Sequence, residues 1–259
     1  MTAICNQCGH RCTEVINGFG LFTEPHPEEG EPPIEYATPC KRINPYKDDR
    51  GGIPQLYADI MLSKIDFRNY QDNGMIYRLI DGYFKAYEAA EKRGQGLYLH
   101  SRTPGSGKTM LSCALARSVM IKFHRQIRFI TAADYLERVK AGFRMEQGQE
   151  DPSEIYRICP LLVLDDLGAH KTGDWQNQEI FRLIDTRAKA GGLITVITSN
   201  YAVTDLPLWP RTVDRIIAIT LQIHLPEFSL RRAKAIEQSR KMTEDLLSGS
   251  GGQAAAATG

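Results

Sequence analysis

No stretch of the chain stays apolar for long. The longest uninterrupted runs, such as Leu161 to Leu164, fall far short of the ~18 residues that a membrane-spanning helix requires. The N-terminus also lacks a basic segment followed by an apolar one, so no secretory leader is expected. Nor is there a surplus of positive charge, since 32 lysines and arginines against 31 acids leave a net +1. Binding to nucleic acid through bulk basicity is thereby excluded, and any such binding has to come from a local patch. No unit repeats along the 259 residues. Apolar residues at 42% and charged residues at 24% match ordinary globular usage, which sets aside wholesale disorder and fibrous structure. A chain of this length buries a sizeable core unaided. The expectation is a soluble, cytoplasmic protein.

What is present is unevenly placed. Residues 1–50 carry five basic and eight acidic side chains, and the one clear basic concentration, Arg211 to Lys241, carries seven basic residues and three acids. Residues 24–35 are rich in proline and glutamate and read as an extended loop. The tail from Ser248 onward contains no core-forming residues.

Four of the six cysteines fall in the first forty residues: Cys5, Cys8, Cys12 and Cys40. Two residues between Cys5 and Cys8 let both thiolates face one tetrahedral ion. Cys12 and Cys40 would complete a four-sulfur zinc site, with His10 and His26 as substitutes. Disulfides fit poorly with a cytosolic chain, and the spacing matches none of the common iron–sulfur runs. Zinc is the favoured reading, and it would hold residues 1–50 together as a small module. Cys113 and Cys159 sit in apolar surroundings and are expected in the core.

The strongest signal is Pro104-Gly105-Ser106-Gly107-Lys108-Thr109. A short apolar strand (96–100) precedes it, and a helix-like run (110–123) with apolar residues three and four apart follows. Strand, glycine-rich loop and helix together make a phosphate-binding loop. Gly105 and Gly107 let backbone amides point inward at phosphate oxygens, and the helix N-terminus adds its positive end. Lys108 is expected to reach the β- and γ-phosphates of ATP, and Thr109 to ligate magnesium. The full signature has a glycine four residues before Ser106, where this chain has Arg102.

A second buried strand, Leu161 to Leu164, ends in Asp165 and Asp166, at the end where open α/β sheets bind ligands. Asp165 is placed to hold magnesium and Asp166 to polarise an attacking water. A third strand (193–200) ends in Ser199-Asn200, whose amide can orient that water. Residues 127–144 read as a strand followed by a helix, and 84–93 as a helix before the first core strand. Strands alternating with helices predict a parallel sheet in a three-layer α/β sandwich.

These motifs, PGSGKT, FITAADYLERVK, LLVLDDLG (161–168) and TSN (198–200), resemble those of AAA+ ATPases of the DnaC/DnaI helicase-loader group and the related IstB-like ATP-binding family. The resemblance covers roughly residues 54–240. It implies that Arg215 in WPRTVDRI (209–216) is an arginine finger offered to a neighbouring subunit, with Arg211 its nearest rival. It also implies that Arg231 in EFSLR (227–231) is the second sensor, although Glu227 replaces the glycine of that pattern. The cysteine-rich N-terminus is similar in kind to the zinc-binding module of the DnaI-type loaders. In that group, helices in the position of Asp134 to Gln147 line a nucleic-acid path, which implicates Arg138, Lys140 and Arg144.

The expected domains are a zinc module (1–50), a linker (51–66), the ATPase domain (67–241) and a disordered tail (242–259). The expected function is ATP-dependent loading of a hexameric replicative DNA helicase onto single-stranded DNA, by an ATP-dependent homo-oligomer with no membrane association. The alternative is an IstB-type transposition helper that binds DNA and recruits a transposase. A small-molecule kinase would need a substrate pocket and a lid, and the sequence shows neither.

Overall fold

The computed structural model describes the backbone of residues 14–16, 19–24 and 34–39, and residues 51–70, 74–143, 151–169 and 173–249. The first three strands, β1 (Glu14–Ile16), β2 (Phe19–Glu24) and β3 (Ile34–Pro39), form an antiparallel sheet in chain order, with Ile16 opposite Phe19 and Phe22 opposite Tyr36. Among the described residues no helix is long and apolar enough to cross a membrane.

From residue 51 the chain builds the second sheet. Its strands are β4 (Gly96–His100), β5 (Ile127–Thr131), β6 (Leu161–Asp165), β7 (Ile194–Ser199) and β8 (Thr220–His224). They run parallel in the order β5-β6-β7-β4-β8. The helices are α1 (Met75–Lys85), α2 (Tyr87–Arg93), α3 (Lys108–Phe123), α4 (Ala132–Gly142), α5 (Glu154–Ile158), α6 (Asp174–Ala190), α7 (Pro210–Ile219) and α8 (Leu230–Gly249).

Two apolar clusters form on the two faces of this sheet, and the alternation of side chains along each strand divides them. Leu97 and Leu99, Leu161 and Val163, and Ile194 and Val196 face a cluster filled by Tyr87 of α2 and Leu111 and Leu115 of α3. Tyr98, Leu162, Leu164 and Ile197 face the other, with Leu136 of α4, Leu183 of α6 and Ile216 of α7. Strands covered on both faces favour apolar residues on both, which is why Leu161 to Leu164 reads as a continuous hydrophobic run. The three-layer α/β sandwich is therefore as expected.

Several boundaries differ. Residues 51–66, read as a linker, hold two short 3-10 turns, and they bury Ile53 and Ala58 while laying Tyr57, Leu62 and Ile65 against the first cluster. The Leu62 amide donates to Ser118 Oγ of α3 at 3.1 Å. The expected helix over 84–93 is two helices separated at Ala86, where ψ swings to 13°. Helix α4 is capped by Thr131, which accepts from the Asp134 amide at 3.0 Å, and it ends at Gly142 rather than Gln147. Helix α8 continues to Gly249, beyond the expected end of the ATPase domain at 241.

Candidate nucleotide-binding site

The loops that leave the C-terminal ends of β4, β6, β7 and β8 converge, because β7 lies between β6 and β4 and β8 lies on the other side of β4. The β4 loop carries Pro104 to Thr109. Gly105 and Gly107 have φ of +82° and +95°, a region costly for other residues, so the curl that turns backbone amides inward depends on glycine here. Space demands it as well. A Cβ on Gly105 would come within 2.7 Å of Ser229 Oγ, and one on Gly107 within 2.6 Å of Tyr70 Oη.

Lys108, at the start of α3, is nearly buried. Its Nζ donates to the carbonyls of Ser101 (3.0 Å) and Thr103 (3.2 Å) and to Ser106 Oγ (3.3 Å). Burial holds its pKa below the usual lysine range, while Asp166, Glu227 and Asp165 pull the other way. A cation held only by carbonyl and hydroxyl dipoles in a desolvated cradle is poised to accept a polyanion in their place.

Thr109 Oγ1 donates to Asp165, 2.9 Å from Oδ1 and 3.2 Å from Oδ2. Thr198 of β7 donates to Asp165 Oδ1 at 2.6 Å. Burial pushes the Asp165 carboxyl above the usual aspartate range, against the hydrogen bonds from Thr198 and Thr109. A hydroxyl and a carboxylate adjoining at the mouth of the loop form an all-oxygen donor set of the kind magnesium takes, so these residues fit the ion. Asp166 is exposed, its φ is +56°, and its amide donates to Thr198 Oγ1 at 2.9 Å. Asn200 Nδ2 donates to Asp166 Oδ1 at 3.2 Å, so the two residues expected to manage a water are already in contact.

Arg231 begins α8 against the loop: its amide donates to the Gly105 carbonyl at 3.3 Å, and its charge is close enough to depress the Lys108 pKa. Arg215 lies apart, exposed on α7, paired with Asp185 of α6 at 3.1 Å. Arg211 is clamped between the rings of Phe181 and Trp209, 4.3 Å from each centroid. On α4, Lys140 pairs with Glu137 at 2.7 Å and sits over Trp175, 5.4 Å from its centroid. Exposed Phe143 meets Trp175 edge-on at 6.4 Å. Arg144 lies outside the described residues, as do Cys5, Cys8, Cys12, Cys40, His10 and His26.

The sequence reading missed two contributors. Thr198 of β7 bridges both acids, and the strand, with Thr195 and Ser199 also polar, gave no signal that singled it out. Glu227, taken only as a departure from a pattern, accepts hydrogen bonds from Ser101, Arg102 and Thr103.

A five-stranded parallel sheet in this order, with a phosphate loop after β4 and acids after β6, defines the P-loop AAA+ fold. Residues 90–217 match the family model described as IstB-like ATP binding protein. The replicative helicase loader DnaI of Bacillus subtilis (strain 168) is 24% identical over 210 residues, 78% of this chain and 63% of that protein. A crystal structure of the DnaC helicase loader has a TM-score of 0.58 at 24% identity, covering 67% of this chain and 100% of the other. AMPPCP-bound DnaA from Aquifex aeolicus has a TM-score of 0.56 at 17% identity, covering 73% and 56% respectively. The chain spans less than two thirds of the length of the curated relatives it matches. These likenesses establish the fold.

Proposed function

We propose that this protein is an ATPase that loads a ring-shaped replicative helicase onto single-stranded DNA, acting as an ATP-dependent homo-oligomer. The observation that carries the ATPase reading is the convergence of Lys108, the Thr109–Asp165 pair and the Asp166–Asn200 pair at the mouth of one glycine-curled loop. Backbone amides of Gly105 to Thr109 cradle the phosphates, and Lys108 exchanges its loop carbonyls for β- and γ-phosphate oxygens. Thr109 and Asp165 would hold magnesium, which would supply positive charge against that developing on the phosphates. Asp166 accepts a proton from the attacking water, and Asn200 fixes its orientation. Arg231 reports on the γ-phosphate from the same chain. Arg215 serves a neighbour's nucleotide, with Arg211 as its rival.

The loader reading is supported by the likeness to DnaI and to the DnaC helicase loader, and by the cysteine set at the N-terminus. Cys5, Cys8, Cys12 and Cys40 bind zinc in this reading, and that module grips the helicase. The family match at 90–217 equally favours a transposition helper of the IstB type, which would recruit a transposase instead. Capture by the full-length chain, with ATP present, separates the two. A hexameric replicative helicase should be retained, and Cys5→Ser with Cys8→Ser should release it while nucleotide binding persists. Retention of a transposase and not of the helicase would establish the second reading.

A further inference from the structure

Two departures of this chain from the patterns it resembles meet in space. Arg102 stands where the phosphate-loop signature has its first glycine, and Glu227 where the second-sensor pattern has its glycine. Because β4 and β8 are parallel neighbours, with His100 opposite His224, both segments leave the sheet at the same end. Residues 101–103 therefore come to face Glu227. Its Oε1 accepts from the Arg102 amide at 2.9 Å and lies 2.9 Å from His224 Nε2. Its Oε2 accepts from the Thr103 amide (2.7 Å), the Thr103 hydroxyl (2.7 Å) and the Ser101 hydroxyl (3.1 Å). Further along, the Arg231 amide reaches the Gly105 carbonyl. Segment 227–231 is thus tied to 101–105 at both ends.

We infer that Glu227 is a positioning residue for nucleotide binding: its carboxylate fixes the turn into the phosphate loop that a glycine shapes in the family signature. The inference rests on reading residues 104–109 as that loop. Arg102 does not use the left-handed region, since among the described non-glycine residues positive φ belongs to His124 and Asp166. The turn thus adopts a backbone form open to any residue, and the amides it leaves outward at 102 and 103 are satisfied by Glu227. Only a carboxylate offers acceptor sites on both oxygens for this set of donors; glutamine would present N–H groups to one half of them. Burial pushes the Glu227 pKa up, but the hydrogen bonds from His224, Thr103, Arg102 and Ser101 outweigh it and bring it to about 2. The side chain is therefore ionised, and its charge is felt at Lys108. A negative charge beside a phosphate site weakens nucleotide binding on electrostatic grounds alone. Removing it tightens binding if charge is all that matters and loosens binding if positioning dominates.

The test titrates fluorescent ATP and ADP analogues into the full chain and records thermal melting alongside. Glu227→Gln should weaken both nucleotides about tenfold, the scale of lost hydrogen bonds to a charged group, with melting little changed. Glu227→Asp keeps the charge but shortens the reach by one methylene, and it should lose affinity comparably. Thr103→Val should weaken binding about threefold, and adding it to Glu227→Gln should cost nothing further, because both act through one network. Unchanged or tighter binding in Glu227→Gln, full affinity in Glu227→Asp, or losses that add in the double variant each overturn the inference. A wild-type chain that binds neither nucleotide overturns the phosphate-loop reading instead.

Discussion

Asp166 is held at a backbone angle that non-glycine residues seldom adopt, with φ of +56°. The Thr198 hydroxyl that accepts from its amide also donates to Asp165, so one β7 side chain orients both acids. Strain kept in place by such over-determination is common where a side chain must be aimed. The aim here is across the mouth of the loop, toward Asn200. Asp166→Asn preserves shape and removes only the basic oxygen. ATP should bind with nearly wild-type affinity while turnover falls by about 10²-fold or more, the usual contribution of a general base. Lys108→Ala, by contrast, should abolish binding, because the remaining amides do not balance the charge of a triphosphate. Equilibrium titration beside single-turnover hydrolysis distinguishes the two outcomes. An Asp166→Asn protein with full turnover would remove that residue from the chemistry.

At the scale of elements, legibility followed burial. Strands β4, β6 and β7 appear within a residue of their expected limits, because a strand covered on both faces is rich in apolar residues on both. Strand β8 went unread: at the sheet edge only Thr220 and Ile223 are buried, so its pattern is broken. The interruption at Ala86 was invisible because alanine favours helix and carries no stop signal. The loop, both acids and Asn200 were legible because each stands at the end of a strand. Glu227 and Thr198 were not, since their roles depend on which strands lie side by side.

Helix α6 shows the same limit. Arg187 is 1% exposed, yet the sequence places it on an ordinary charged stretch. Its guanidinium donates to Thr195 Oγ1 (2.9 Å) and to the carbonyls of Tyr156 (2.9 Å), Cys159 (2.9 Å) and Ile194 (2.7 Å). It therefore ties the end of α5 and the start of β7 to α6. Burial holds its pKa below the usual arginine range, which marks the cost of desolvation that these bonds offset. Arg187→Met fills the space and leaves the carbonyls unpaired. The loss in stability should be about 2–5 kcal/mol, read from denaturant midpoints at constant slope. A change below ~1 kcal/mol would mean that water replaces the guanidinium.

For the whole molecule the open question is what α7 faces. A γ-phosphate in transfer spreads charge over its equatorial oxygens, and a guanidinium placed there is worth about 10³–10⁵ in rate. Within the chain, Lys108 and Arg231 lie at the loop, whereas Arg215 and Arg211 lie on α7, beyond β7. Arg211 is clamped by two rings, which fixes its direction. Arg215 is exposed and shares Asp185 with Lys189, so the carboxylate stays paired if the arginine swings away. Exposure and a replaceable partner suit a residue that acts on another copy. Arg215→Ala should leave the nucleotide affinity of the single chain unchanged and suppress ATP-dependent oligomers and assembly-stimulated hydrolysis. Mixed with Lys108→Ala it should recover part of the lost rate, since one partner supplies an arginine and the other an intact pocket. Arg211→Ala, tested in the same mixture, locates the finger: recovery with that variant and none with Arg215→Ala would move the role to Arg211. No recovery with either, under conditions where the wild type assembles, would confine both arginines to their own chain.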